Sequence, residues 1–454
     1  MRFRRWVVFT FAVHVGVIVL DKGAGFILWK ILEDQPRLKG AADLLTTLPF
    51  VMMAIANLGL AASSVFFLRK NRFEVKQVAE TGAFVALVWG GLIAGLAILA
   101  SQYLLPLIAP DWNFSLKYVV PICLCVPFLL TTSYFNSIQL AVEKIRDYNL
   151  VHLIASLLFL PLFLLLLFGF GKHVTVSIAE ARLIGAVLIT ALTLWMLRGV
   201  ARWRPRLHWP FLRVGLSYGW RANVTSVLTY LNHRADLFLV GFLYDAAGND
   251  PLAEVAFYSW AVSFAELVWH FPEGMRDLFF SKVAGSSQRK AREITPALCR
   301  LCLWFGAVGS VIIYVSVNPV MQLVSPSEWA LRWREPVMAA LLVLFPGTVA
   351  FIVAKVLQAD LAARGHLTQC IRACSIVSVI MIGLDWWLIP VHGALGAAYA
   401  SSAAYLASAA YSLFAYRRAG GGGYLDCLVI RPSDASYVSD LLSAVIEKIR
   451  GGKS

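Results

Sequence analysis

VAFYSWAVSFAELVWHFPEGMRDLFFSKVA, residues 255–284, decides how the rest of the chain is read. A bilayer crossing takes about 20 mainly apolar residues, and this run has room for one. Yet Ser259, Ser263, Glu266, His270, Glu273 and Asp277 recur at spacings of 4, 3, 4, 3 and 4. That rhythm puts all six on one helix face. Arg276 stands beside Asp277 and three residues after Glu273, within ion-pair reach. Pro272 between them is expected to kink the helix. A charge at mid-bilayer costs about 2.5–3.5 kcal/mol on insertion scales. Such a face turns toward protein or water, as a buried ion-pair network or as the wall of a cavity with protonatable groups.

The preceding apolar stretch repeats the device. Ser217, Arg221, Thr225, Thr229, Asn232 and Asp236 form a second stripe, flanked by His233 and Arg234. Arg221 and Asp236 are about four turns apart, so each needs another partner or an anionic ligand.

Outward from these two stripes the chain reads as a series of spans. Its 454 residues are 59% hydrophobic and 15% charged, against about 25% charged in a soluble domain. Twelve spans are expected, at 6–32, 41–68, 77–104, 117–141, 150–170, 178–198, 214–244, 253–280, 297–323, 336–362, 371–390 and 393–416. The connections leave no room for a folded catalytic domain, so the chain is read as a transporter and not as an enzyme. The fold class is all-α and polytopic, with two six-helix lobes around a central cavity.

The net charge is +14. The basic residues gather at alternate connections, including Arg69, Lys70, Lys144, Arg146, Arg289, Lys290 and Arg417. The intervening connections hold fewer, such as Arg37, Lys117 and Lys172. This is the positive-inside pattern; it places both termini in the cytoplasm and makes nucleic-acid binding unnecessary as an explanation. The N-terminal Arg2, Arg4 and Arg5 precede an apolar run that continues past Asp21 and Lys22 to Leu32, so it reads as an uncleaved first span. The location implied is the cytoplasmic (inner) membrane.

The basic stretch RGVARWRPRLHWPFLR at 198–213 separates the halves. The domain boundaries read as an N-terminal lobe at 1–199, a linker at 200–213, a C-terminal lobe at 214–417 and a tail at 418–454. In the tail, Tyr437, Leu441, Leu442, Val445 and Ile449 recur at helical spacing, which predicts an amphipathic helix on the cytoplasmic face. The seven cysteines complete no zinc pattern, and Cys299, Cys302, Cys370 and Cys374 read as packing residues. No metal or cofactor is expected. Most tryptophans, among them Trp29, Trp329 and Trp333, fall near span ends and read as an interfacial belt. Trp220, Trp260 and Trp269 lie deeper and are expected to pack toward lipid, with stacking on sugar rings as the alternative.

The candidate substrate residues are Lys22, Arg221, Asn232, Arg276 and Lys355. Arginine grips phosphate through a bidentate fork, and lysine acts as a point charge. The candidate ion-coupling residues are Asp21, Asp236, Glu266, His270, Glu273 and Asp277. The first half offers fewer polar groups, such as Asn57, Asn136 and Gln139.

Three stretches carry a family resemblance: GLSYGWRANVTSVLTYLNHRADLFLVGFL at 215–243, the opening stretch at 255–284, and LIPVHGALGAAYASSAAY at 388–405. GLAASSVFFLRK at 59–70 adds to them. Together they resemble the polysaccharide-biosynthesis (Wzx-like) flippases of the multidrug/oligosaccharidyl-lipid/polysaccharide (MOP) exporter superfamily. Two departures are Ala256, where the family usually has glycine, and Asp385, where asparagine is common. The resemblance implies alternating access and movement of a polyprenyl-pyrophosphate-linked oligosaccharide. The in-membrane carboxylates add proton or sodium coupling to this expectation, and the partners expected are membrane lipids, glycan polymerases and glycosyltransferases. A cation-coupled drug or metabolite exporter of the same superfamily is the alternative. A membrane glycan polymerase or ligase would need a large outer loop, and the outer connections are short.

Overall fold

The computed structural model describes residues 2–103, 115–200, 204–244, 250–284, 288–364, 366–429 and 431. Side chains at 2–9, 11, 12, 221, 222, 270–284, 288–294, 363 and 367 are not described. Among the described residues the secondary structure is helical, without strands. The elements are α1 (Arg2–Leu32), α2 (Pro36–Ala56), α3 (Leu60–Arg69), α4 (Val75–Tyr103), α5 (Leu116–Ala141), α6 (Ile145–Leu164) and α7 (Val174–Leu197). They continue as α8 (Trp209–Leu243), α9 (Pro251–Ala284), α10 (Gln288–Val324), α11 (Arg334–Ala363), α12 (Leu367–Arg418) and the short α13 (Tyr424–Leu428).

The expected spans fall on these helices. By length and apolar composition, eight helical segments among the described residues can cross a membrane. The 51-residue segment within α12 holds two expected spans. α1, α8 and α9, whose side chains are only partly described, are not among these eight. The amphipathic tail helix expected after Ser433 lies outside the described residues.

Two compact units make up the chain. The first comprises Met1–Trp260, Ser325–Val337 and Met381–Ala397. Within it α4 packs on α5, α5 and α6 on α7, and α1 on α6. Small residues on α4 (Ala79, Ala83, Ala86) meet Val126, Leu130 and Tyr134 of α5 in one buried cluster. Small side chains of this kind let membrane helices approach closely.

The sequence reading made 41–68 a continuous span; the structure breaks it. α2 ends at Ala56 and α3 starts at Leu60, with Leu58 (φ 56°) and Gly59 (φ 72°) left-handed between them. A Cβ on Gly59 would fall 2.0 Å from the Gly219 carbonyl oxygen, so the approach of α8 also demands glycine here. The break frees carbonyls, and side chains satisfy them. Tyr134 Oη donates to Asn57 O at 2.8 Å, and Trp89 Nε1 donates to Ala56 O at 3.2 Å. Non-helical backbone at membrane depth persists where protein buries and pairs it in this way.

The glycine-rich turn of the family resemblance has a comparable explanation. Gly393 (φ 53°, ψ −128°) interrupts α12, and Glu254 Oε2 accepts the Ala394 N–H at 2.9 Å. In the linker, Arg206 N–H donates to Glu80 O, and His208 Nε2 lies 2.7 Å from Glu80 Oε2. The linker is thereby pinned to the start of α4.

The second unit comprises Ala261–Val324, Met338–Ile380 and Ala398–Ser454. Gln358 Nε2 donates to Ser408 and Ser412 of the small-residue stretch of α12. Asp360 accepts from Thr295 at 2.8 Å and pairs with Arg364 at 2.7 Å. Arg300 donates to the Asp426 carbonyl, which holds α13 on α10.

Several tryptophans differ from expectation. Trp29, Trp329 and Trp333 are fully buried and not interfacial. In the first unit Trp260 stacks on Trp29 at 5.6 Å, and Trp29 meets Trp333 edge-on at 5.9 Å. In the second, Trp269 is buried against Phe351 and Tyr405 instead of facing lipid. Trp220 is exposed. Aromatic pairing inside a bundle gains contact energy that span-end position does not reveal.

Candidate functional site

The candidates from the sequence fall into the two units. In the first, Asp21 is exposed and Lys22 half-buried on α1. Asn232 and Asp236 on α8 are buried, whereas Ser217 and Thr229 of the same stripe are exposed. Asp236 Oδ2 accepts from Tyr258 Oη at 2.5 Å, and Oδ1 accepts from the Leu237 N–H at 2.8 Å. In the second unit Glu266 is half-buried, and Lys355 Nζ sits 4.3 Å over the Trp269 ring and 5.4 Å over Phe351. The side chains of Arg221, His270, Glu273, Arg276 and Asp277 lie outside the described residues.

Sequence reasoning passed over one feature of α12. Asp385 is completely buried, and neither carboxyl oxygen has a hydrogen-bond partner among the described residues. Asp236 is close enough to act on it electrostatically. The departure from asparagine at 385 was visible in the sequence, but its neighbour 149 residues earlier in the chain was not.

The first unit also contains a cavity of about 520 Å³, inside the range of small-ligand pockets. α2, α3, α5, α6 and α7 line it. None of the described substrate and coupling candidates lines it. The charged residue among its described lining is Arg182 on α7, which the set of candidate cations omitted. Arg182 lies eight residues into α7, about 12 Å along the axis. That is near enough to a span end to pass for a snorkelling side chain. The structure turns it into the cavity instead. Its guanidinium lies 3.9 Å over Phe159 and 5.8 Å from the Phe50 ring centre. Its Nε is buried without a hydrogen-bond partner among the described residues.

Polar groups share the wall with apolar ones. Asn136 is buried, and its Oδ1 has no partner among the described residues. Ser133 accepts from Asn57 Nδ2 at 3.4 Å. Thr132 and Thr190 hydroxyls lie 3.0 Å apart. His152 packs edge-on against Tyr148 at the end of the cavity nearer the 142–144 connection. Asn136 was noted in the sequence as a polar span residue; that it faces the same space as Arg182 follows from helix packing alone.

A family model described as "Polysaccharide biosynthesis protein" matches residues 38–269. No curated protein sequence matches the chain significantly. Solved structures are similar over nearly the whole length. The lipid II flippase MurJ in an inward closed conformation has a TM-score of 0.67 at 15% identity, covering 91% of this chain and 87% of that one. An inward-facing multidrug resistance MATE family transporter of the MOP superfamily has 0.65 at 14%, covering 90% and 94%. A MOP superfamily transporter from Pyrococcus furiosus, reported with a reverse-polarity binding pocket, has 0.63 at 15%, covering 91% and 95%. At these identities the likeness establishes the fold.

Proposed function

The chain belongs to the polysaccharide biosynthesis protein family, and on that premise we propose that it is a flippase moving a polyprenyl-pyrophosphate-linked oligosaccharide across the cytoplasmic membrane. It is a multi-pass membrane protein with the MOP fold. The observation that carries the reading is the cavity of the first unit, where a cation meets amide, hydroxyl and aromatic groups. A pocket for cationic drugs would favour acidic groups instead, because opposite charge is what desolvated recognition needs. An anionic, hydroxyl-rich headgroup complements the wall found here.

Alternating access exposes the headgroup first to one face and then to the other. The buried Asp385, whose carboxyl oxygens have no hydrogen-bond partner among the described residues, is the candidate place for a proton or a monovalent cation to drive the cycle. Lys22, Arg221 and Asn232 in the first unit and, separately, Arg276 and Lys355 in the second are further candidates for the headgroup by sequence. Both termini are cytoplasmic in this reading. Glycosyltransferases deliver the lipid-linked unit, and a polymerase takes it on the far side.

Deletion of the gene tests this. Lipid-linked repeat units should accumulate facing the cytoplasm and surface glycan should be lost. Unchanged surface glycan, in a strain with no second copy, refutes the reading.

A further inference from the structure

Arg182 is an unusual group to leave in a cavity. Among the described residues it makes no hydrogen bond and no ion pair. Asp21 acts on it electrostatically without closing a salt bridge. A guanidinium desolvated without a bound counter-ion is costly. Its face is already taken by Phe159. A guanidinium stacked by its face keeps its in-plane N–H groups free, and these match the two oxygens of a carboxylate or phosphate.

The surrounding wall says what carries that oxyanion. Asn136 Oδ1 is an acceptor with no donor, in a residue more than nine-tenths buried. It lines the same cavity as Arg182, with Ser133, Thr132 and His152. A buried acceptor left unpaired costs free energy that a ligand O–H removes. Hydroxyl donors beside an oxyanion, against a partly aromatic wall, describe a carbohydrate bearing negative charge.

We propose that this cavity is a binding pocket for an anionic carbohydrate headgroup, with Arg182 gripping its oxyanion and Asn136 accepting from a sugar hydroxyl. The oxyanion is a carboxylate on an acidic sugar or a phosphate of the lipid carrier. The assignment rests on the flippase reading for its place in transport, but the pocket's binding chemistry stands separately from it.

The test uses the full-length protein in lipid nanodiscs. Binding is followed by calorimetry with three probes: a uronic-acid disaccharide, a neutral disaccharide of the same linkage, and inorganic pyrophosphate. Binding of the uronic-acid disaccharide or of pyrophosphate, and not of the neutral sugar, supports the proposal, and which of the two binds identifies the source of the oxyanion. Arg182→Gln should weaken that binding about tenfold or more, as expected for a lost charge-assisted fork. Arg182→Lys keeps the charge and the fold but removes the fork, and should still weaken binding severalfold. Asn136→Ala should weaken only the sugar probe. No binding of either anion, or equal binding in wild type and both Arg182 variants, overturns the proposal. Complementation of a deletion strain separates this result from the flippase reading. Surface glycan restored fully by both Arg182 variants leaves the flippase reading standing and removes the pocket assignment. Anion binding by a protein whose deletion leaves glycan unchanged does the reverse.

Discussion

Trp89→Phe and Tyr134→Phe probe the break in the second span, which borders the Arg182 cavity. Trp89 Nε1 donates to the Ala56 carbonyl and Tyr134 Oη to the Asn57 carbonyl. The two bonds are not equivalent. The Leu60 N–H also reaches Asn57 O at 3.3 Å, so Tyr134→Phe leaves that carbonyl a weak partner. Its cost should be about 1 kcal/mol, the net value of one hydrogen bond. Ala56 is fully buried, and Trp89→Phe takes away the donor its carbonyl has. An orphaned buried acceptor costs about 1–3 kcal/mol, and shrinking the half-buried indole adds about 1 kcal/mol of lost contact. For a chain this long, 1 kcal/mol corresponds to roughly 1–2 °C in Tm. Thermal denaturation in detergent, read by loss of the monodisperse peak, should therefore show a drop of about 1–2 °C for Tyr134→Phe and a clearly larger one for Trp89→Phe. Both bonds hold one break, so the double variant should lose less than the sum. A larger loss for Tyr134→Phe than for Trp89→Phe, or no loss for either, would show that these side chains do not secure the break.

Three further outcomes follow. Gly393→Ala places a Cβ 2.7 Å from Glu254 Oε2 and 2.9 Å from the Tyr244 ring, at φ 53°; destabilisation of at least about 1–2 kcal/mol is expected, and an unchanged Tm would count against the turn. Asp385→Asn removes a buried carboxyl with no hydrogen-bond partner among the described residues while keeping its shape, so the protein should be at least as stable as wild type, while transport in proteoliposomes loses its dependence on the proton or sodium gradient. A clear fall in Tm, or unaltered gradient dependence, refutes the coupling role. Glu80→Gln loosens the linker that His208 pins at 2.7 Å. His208 is partly exposed, so the loss is about 1 kcal/mol, seen as roughly fivefold faster trypsin cleavage at Arg206; equal cleavage rates would mean the pair does not hold the linker.

The all-α polytopic class and the placing of most of the spans on helices were legible in the sequence, because hydropathy and the 3.6-residue period are local properties. The turn at Gly393 was also legible, through its glycine spacing. The family resemblance rested on such local stretches, and the family match agrees with it. The break at Leu58–Gly59 was hidden inside an apolar run, because the donors that make it affordable come from Trp89 and Tyr134 on other helices. Trp29 and Trp333 looked interfacial because position along a span says nothing of which neighbour a ring meets. The sequence reading did not single out Arg182, and Asp385 stood as an isolated departure from the family pattern. What each does depends on Phe159, Asn136 and Asp236, all distant in the chain. Periodicity fixes which face of a helix is polar; helix packing alone decides what that face surrounds.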